Sequence, residues 1–597
     1  MQKSRLLLIA GATFILSFPF ASGNSLNIAT AGKYPYSDPQ KGRTGYSLAD
    51  ETVNEARVYD FYQRQADYYM ANPDKIPAVI PAFPGLDGGL HGHWGKHNQN
   101  GHNDGRWNDG DTGEHFAHVI KGPKGFNVEK GVCVKLGDGH LLSTCFDPQT
   151  LSYRAVWSEG WLTFGPFRWG SSRGATIQGK PWFQIDQAKM PNGGEYLGLR
   201  RFGKRVVFEY RIGSARIQDE PWSSTNSFFR RIDFLNPSAK VSLPCQVIDK
   251  DIKVSFSKIQ GIQNIRWKDG EIIAEGIQKN ASVVIRISRD DGDKEIASVI
   301  AHLKNDRKIK KRWNDVLQVP GKLGKPKNGS AYAVDTLNVP YNNPYNTVMQ
   351  LTSMAFLPNG DALVASLPGD IWLVKGINQD LSQVTWQRYA TGFNQPVGIH
   401  IDKEGVFVLD RCQISILHDS NDDEEVDYYE KYANDFGGFN RSHTHTFGLH
   451  RTGDGAFYFI QHTNLFRTGT DRKTEVLAYG VRNCMGVGGS KDYFWAAPQE
   501  GTWTPASAII EVNKGEHYGN SGEKDKIAPP ICYVPRGVDN STGGMVEITS
   551  EQWGPFAGSH VGLSYGANAH YLILRDGTSK RPQGAVVPLE GEFLAGV

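Results

Sequence analysis

Met354-Ala355-Phe356-Leu357-Pro358-Asn359-Gly360-Asp361-Ala362-Leu363-Val364-Ala365 reads as a strand, an Asn-Gly-Asp turn and a second strand. The turn residues reverse the chain, and the apolar residues on either side make a hairpin. Asp370-Ile371-Trp372-Leu373-Val374 adds a third strand. The pattern returns at Pro396 to Leu417, at Phe447 to Phe459 and at Met485 to Ala496, and more weakly from Val561. A restart every forty to fifty residues or so is the period of propeller blades. Each strand carries large apolar groups on one face, which only a neighbouring blade can cover. Four units and a partial fifth fit in residues 345–597. The expectation is a six-bladed β-propeller truncated inside the ring, with an uncovered edge after Val597.

Upstream, the basic and Pro/Gly-rich stretch over residues 313–344 reads as a linker. Residues 24–312 read as an N-terminal β-sandwich-like module with one helix. The helix is expected over residues 47–72, where Val58, Phe61, Tyr62, Ala66, Tyr69 and Met70 recur at three and four and Asn72-Pro73 ends the run. From about residue 78 the pattern is strand-like: Gly131 to Leu136, Arg205 to Arg211 and Ala281 to Ile287 alternate between Gly/Asp turns. The whole chain is therefore expected to be mainly β.

Residues 1–23 have the form of a signal peptide: Lys3 and Arg5, an apolar run from Leu6 to Phe18, and small residues at Ala21-Ser22-Gly23. The run is short of the ~20 residues that span a bilayer, and no later stretch is long and apolar enough. The protein is expected to be exported, periplasmic or extracellular, with no membrane span after signal removal. Lys+Arg 65 against Asp+Glu 63 gives a formal charge of +2, so no global field favours nucleic acid. Six cysteines occur with no Cys-x-x-Cys pair and no Cys-x-x-Cys-His haem attachment. Cys133 and Cys145 flank the turn Gly137-Asp138-Gly139-His140, where a cross-hairpin bridge and two separate buried thiols are equally compatible with the spacing.

Two clusters suggest metals. Asp419, Asn421, Asp423, Glu425, Asp427 and Glu430 place oxygen donors at positions 1, 3, 5, 7, 9 and 12 of a calcium loop. Position 6, where a Gly is needed, is Glu424, so an exposed acidic loop is the competing reading. His91, His93, His97, His102, His115 and His118 lie among Asp and Glu residues. On a strand, His91 and His93 would share one face and could ligate zinc or copper. The interspersed Asn-Gly and Asp-Gly pairs are equally plain turn chemistry, and Trp94 and Trp107 could stack on sugar rings.

A third constellation sits at the starts of blades: Ser442-His443-Thr444-His445, then Tyr479-Gly480-Val481-Arg482-Asn483, then Gly515-Glu516-His517-Tyr518-Gly519. With Gln395-Pro396-Val397-Gly398 and the Asp454-Gly455 turn, these segments resemble the soluble quinoprotein glucose/sorbosone dehydrogenases. The N-terminal segments Pro84 to Gly89, His91 to Gly95 and Cys145 to Pro148 resemble an uncharacterised module of large exported bacterial proteins. Those proteins often carry a c-type cytochrome domain behind the propeller. The resemblance implies a sugar or alcohol dehydrogenase using pyrroloquinoline quinone, and the acidic loop would add calcium as a second cofactor. Its substrate would be a carbohydrate or other small polar molecule, and its electron partner a c-type cytochrome. His443 or His445 would be the base, and Arg482 and Asn483 would contact quinone and substrate. A base near neutral pKa takes the hydroxyl proton as hydride leaves. Cationic and amide donors hold the charge of the reduced quinone. The alternative is a propeller that binds a glycan or partner without chemistry.

Overall fold

The computed structural model describes Tyr68, residues 70–75 and residues 106–589, apart from 166–173, 247–250, 290–295, 305–306, 327–332, 379, 438–444, 483, 523–525, 535–537, 540, 565–569 and 578–580. The chain is mainly β. Of the helix expected over residues 47–72, only its last turn falls among these residues. There Tyr68, Met70 and Ala71 are helical, and Asn72 Nδ2 donates to the Tyr68 carbonyl at 2.8 Å.

The second half forms five blades, each an antiparallel meander of four strands. Their first strands are Leu351–Phe356, Gly398–Asp402, Thr446–Arg451, Gly486–Gly489 and Thr542–Glu547. These first strands line a common axis, each packed beside the next. The axis is narrow, so backbones must approach closely. A Cβ on Gly486 of blade four would stand 2.1 Å from the Gly543 carbonyl oxygen of blade five. The fifth blade is complete and begins at Thr542, not at Val561, which lies in its second strand. Thr542-Gly543-Gly544 carries little apolar signal because the axis there requires small residues, and that hid the blade in the sequence.

The N-terminal part is a sandwich of two sheets. The first has seven strands and includes His115–Lys121, Asn127–Leu136, Leu142–Asp147 and Ser152–Ser158. The second includes Gly194–Phe202, Arg205–Ile212, Ala215–Ser223, Ser227–Phe234 and the long hairpin Lys253–Lys268 with Glu271–Ser288. Val132, Val134, Leu136 and Phe146 of the first sheet join Phe208, Tyr210 and Phe228 of the second in one core, with Phe146 stacked on Phe208 at 4.1 Å. The alternate residues Cys133 and Cys145 face the other way, in a cluster shared with Phe116, Trp157 and the propeller residues Leu367, Val397 and Phe447. The first sheet is thus buried on both faces, and the run Lys130 to Val134 is buried on both sides of its pleat. Cys133 and Cys145 sit directly opposite each other on neighbouring strands as free buried thiols.

A helix the sequence reading did not foresee, Ile296–Lys304, packs Val299 and Leu303 on Trp222, Phe229 and Val284. The stretch read as a linker is tied into blade one. Trp313 is buried with Trp372 and Trp386, and Val316–Gln318 pairs with Thr385–Ala390.

The two halves share a sheet. Tyr428–Ala433, the outer strand of blade two, pairs antiparallel with Gly194–Phe202 of the sandwich: Tyr428 with Arg200, Tyr429 with Leu199, Glu430 with Gly198. Gly198 has φ 146°, and a Cβ there would stand 2.3 Å from the Tyr429 carbonyl oxygen. Gly198→Val is expected to destabilise the protein by about 2–4 kcal/mol, from backbone strain plus the lost pairing. Denaturant melts check this against Gly165→Ala, a glycine with open space around it, which should stay within about 0.5 kcal/mol of wild type.

Candidate functional site at the axial mouth

The five first strands enclose a channel of about 660 Å³, lined by Met354, Val397, Leu449, Met485 and Met545 among others, with His450 and Glu547 as its titratable groups. Among the described residues, no Lys or Arg lines it. At the end where the first strands begin, the loops between blades form a mouth.

His445 immediately precedes the first strand of blade three and is 6% exposed, its ring 5.5 Å from Phe447. Arg482 follows the last strand of the same blade. The two belong to one end of the blade. Gln461 Nε2 donates to the Thr446 hydroxyl at 2.8 Å, and the Thr463 carbonyl accepts from the Gly480 and Val481 N–H groups at 2.8 and 3.3 Å. Arg482 is half-exposed, at 46%, and its Nη1 donates to the Glu500 carbonyl at 2.9 Å and lies 3.6 Å from the Glu500 carboxylate. His443 and Asn483 lie outside the described residues, as do His91, His93, His97 and His102.

The structure corrects the calcium reading of the acidic loop. Asp419 accepts the N–H groups of Asp423 and Glu424 at 3.1 and 2.8 Å. Asp423 accepts from Asn421 Nδ2 at 2.8 Å and from the Glu425 N–H at 3.0 Å. Asp427 accepts the Ser420 N–H at 2.6 Å and its hydroxyl at 2.8 Å. Glu425 is buried against Arg201, and Glu430 meets His418 at 3.0 Å and Arg472 at 2.9 Å. The oxygens thus satisfy the loop's own backbone and neighbouring cations and do not converge on one point. The tight turn is made with Asp422 and Glu424 at φ 55° and 67° in place of a glycine. Among the described residues no group of three or more His, Cys, Asp or Glu side chains is arranged to hold a metal ion.

The sandwich roofs part of the mouth, resting on Leu367 of blade one, Val397 of blade two and Phe447 of blade three. The Ala117 N–H donates to the Gly392 carbonyl at 2.7 Å. Lys130 Nζ donates to the carbonyls of Asn434 and Phe436 at 2.5 and 2.6 Å, on the segment that leads towards His445. Beneath this roof, His115, His118, Lys130, Asp410 and Cys412 are among the residues lining a small cavity of about 50 Å³. Burial pushes Asp410 up to about 6 and the Cys412 thiol up to about 12, and it lowers Lys130. It also lowers His115 and His118 to about 3, helped by the Arg201 charge for the first and Arg411 for the second. Sequence reading grouped these two histidines with His91, His93, His97 and His102, with metal, glycan and purely structural roles left open. Tertiary packing made them neutral interface groups, with the Val119 N–H donating to His118 Nδ1 at 2.8 Å.

A family model described as a domain of unknown function (DUF6797) matches residues 144–219, within the sandwich. No curated protein matches the chain. Among solved structures, the chain is similar over part of its length to the quinone-bound aldose sugar dehydrogenase of Streptomyces coelicolor. That match has 17% identity, 42% of this chain, 84% of that one and a TM-score of 0.32. It is similar to the soluble aldose sugar dehydrogenase of Escherichia coli, with 14% identity, 40% and 86% coverage and a TM-score of 0.27. It is also similar to the quinone domain of pyranose dehydrogenase of Coprinopsis cinerea, with 9% identity, 42% and 80% coverage and a TM-score of 0.32.

Lowered histidine values make stability depend on pH. The folded state holds His115 and His118 neutral down to about 3, whereas the unfolded chain protonates them near 6.5. Stability from this source is full above pH 6.5 and is lost as pH falls towards 3, by about 2 kcal/mol per histidine at pH 5. A His115→Gln/His118→Gln variant is expected to show a flatter decline than wild type in melts taken between pH 7 and pH 4.

Proposed function

We propose that this protein is an exported sugar- or alcohol-dehydrogenase-like propeller whose mouth takes a hydroxylated substrate. The observation that carries the proposal is the placing of a buried imidazole, His445, and a half-exposed guanidinium, Arg482, at one axial end of the same blade. In this reading His445 takes the hydroxyl proton, and His443 is the alternative base. Arg482, with Asn483 beside it, orients the substrate and counters negative charge as it develops.

A tricarboxylate quinone fits the described residues at one point, Arg482, the cation exposed at the mouth. It does not fit the channel below, where no described Lys or Arg is placed to receive a carboxylate. When bound, pyrroloquinoline quinone supplies the two-electron acceptor, and a c-type cytochrome is the electron partner proposed for it. Calcium enters this proposal only with the quinone, since the acidic loop is occupied by its own contacts.

The test is dye reduction by the purified full chain supplied with pyrroloquinoline quinone and calcium, across aldoses and simple alcohols. Turnover is expected, and His445→Ala or Arg482→Ala should lower it about a hundredfold or more. Failure to take up the quinone under these conditions overturns the proposal. A second reading, a non-catalytic glycan- or partner-binding propeller, is favoured by Glu500, which already faces the Arg482 guanidinium. It predicts glycan binding that survives both substitutions.

A further inference from the structure

We propose that the axial channel is a binding site for a single unbranched aliphatic chain with a neutral head, a ligand class distinct from the sugar or quinone of the mouth. From blade one to blade five, each first strand is packed beside the next. Among the described residues, the first strand of blade five is not packed in this way on that of blade one, so the channel opens to the side between them. Phe356 and Val546, in the two blades that flank this gap, line the channel and are 48% and 59% exposed. Large apolar side chains that meet solvent in a concave site mark a place where apolar surface of a ligand is covered. The channel volume of about 660 Å³ is within the range of small-molecule sites.

The lining selects the occupant. Met354, Met485 and Met545 are three of the seven methionines of the chain. Unbranched and polarisable, they reshape around apolar surfaces of varied outline. Leu449, Val561 and Leu563 add apolar wall from blades three and five. With no described Lys or Arg in the lining, an acid headgroup would lose its water without gaining a counter-charge. Of the two titratable groups, His450 Nε2 already donates to the Ser490 carbonyl at 2.7 Å. Glu547, the last residue of the first strand of blade five, can accept a hydroxyl and repels a carboxylate. Width excludes a folded partner. The first strand of blade one has six residues, so the channel runs roughly 20 Å. A volume of about 660 Å³ over that length leaves a bore about 6 Å across. One hydrocarbon chain fills that bore, whereas a sheet laid on another sheet needs a spacing of about 10 Å.

The inference stands apart from the dehydrogenase reading, because it concerns binding below the mouth and needs no quinone. It is tested with the full chain by displacing the fluorescent probe N-phenyl-1-naphthylamine with straight-chain primary alcohols of six to twelve carbons. Affinity is expected to rise about fourfold per added methylene, the increment of one buried CH₂. The carboxylate of equal length should bind at least tenfold more weakly. Met354→Trp, which fills the channel, and Val546→Arg, which sets a charge in its wall, should each weaken alcohol binding at least tenfold, and melting curves check that each variant is folded. Val476→Arg, at an exposed valine of blade three outside the channel lining, is expected to leave binding unchanged. No displacement, an affinity flat across chain lengths, equal binding of the carboxylates, or full binding by both folded channel variants overturns the proposal. A dimer in sedimentation with no alcohol binding also overturns it and assigns the gap to a second copy. Alcohol binding by a chain that takes up no quinone leaves this inference standing and overturns the dehydrogenase reading.

Discussion

The structure depends on one junction, the pairing of Gly194–Phe202 with Tyr428–Ala433 and the buried ion pair that locks it. Glu425 precedes the blade strand, pairs with Arg201 of the sandwich and accepts the N–H groups of Arg312 and Trp313 at 2.7 and 2.8 Å. One carboxylate thus holds the sandwich, blade two and the connecting chain at a single point. Removing either partner of such a pair leaves a buried charge uncompensated, at a cost of about 3–5 kcal/mol. Its carboxylate is used by three donors, Arg201 of the sandwich and the Arg312 and Trp313 N–H groups of the connecting chain, so the pair specifies geometry as well as contributing to stability.

Because the shared sheet fixes the sandwich against blade two, the first sandwich sheet comes to rest on the axial face as a roof. Its outer face is apolar where it meets Leu367, Val397 and Phe447, and polar where it meets the blade-two loops around Asp410 and Cys412. The roof rests on blades one and two and on Phe447 in the first strand of blade three. Arg482, half-exposed, stands between blades three and four. The propeller supplies the loops at this end, and the sandwich covers part of them.

Much of the fold is legible in the residues. Hairpins such as Met354 to Ala365 declare themselves through alternating apolar residues around Asn-Gly-Asp, and the blade period follows from their spacing. Legibility fails where local signal and tertiary demand diverge. Thr542–Glu547 is poor in apolar residues because neighbouring backbones crowd the axis, so blade five seemed to start a strand late. Ile296–Lys304 is short and follows a polar stretch, and only its packing on Trp222 and Phe229 makes it a helix worth forming. At the site, the clusters of like side chains misled most. The acidic run looked like a cation loop because spacing reports donors but not their direction, and hydrogen bonds to its own N–H groups turned them inward.

By itself the sequence determined the β-rich class, the repeating blades and the residues available at their starts, because turn chemistry and strand alternation are local properties. Only the tertiary structure decided which residues share a site. Gly194–Phe202 and Tyr428–Ala433 are far apart along the chain, and nothing in either strand names the other. Their union rests on a glycine that permits close approach and on a charge pair that is tolerable only when complete. From that union follow the roof and the neutral buried histidines, since each is a consequence of what is desolvated when the two halves meet.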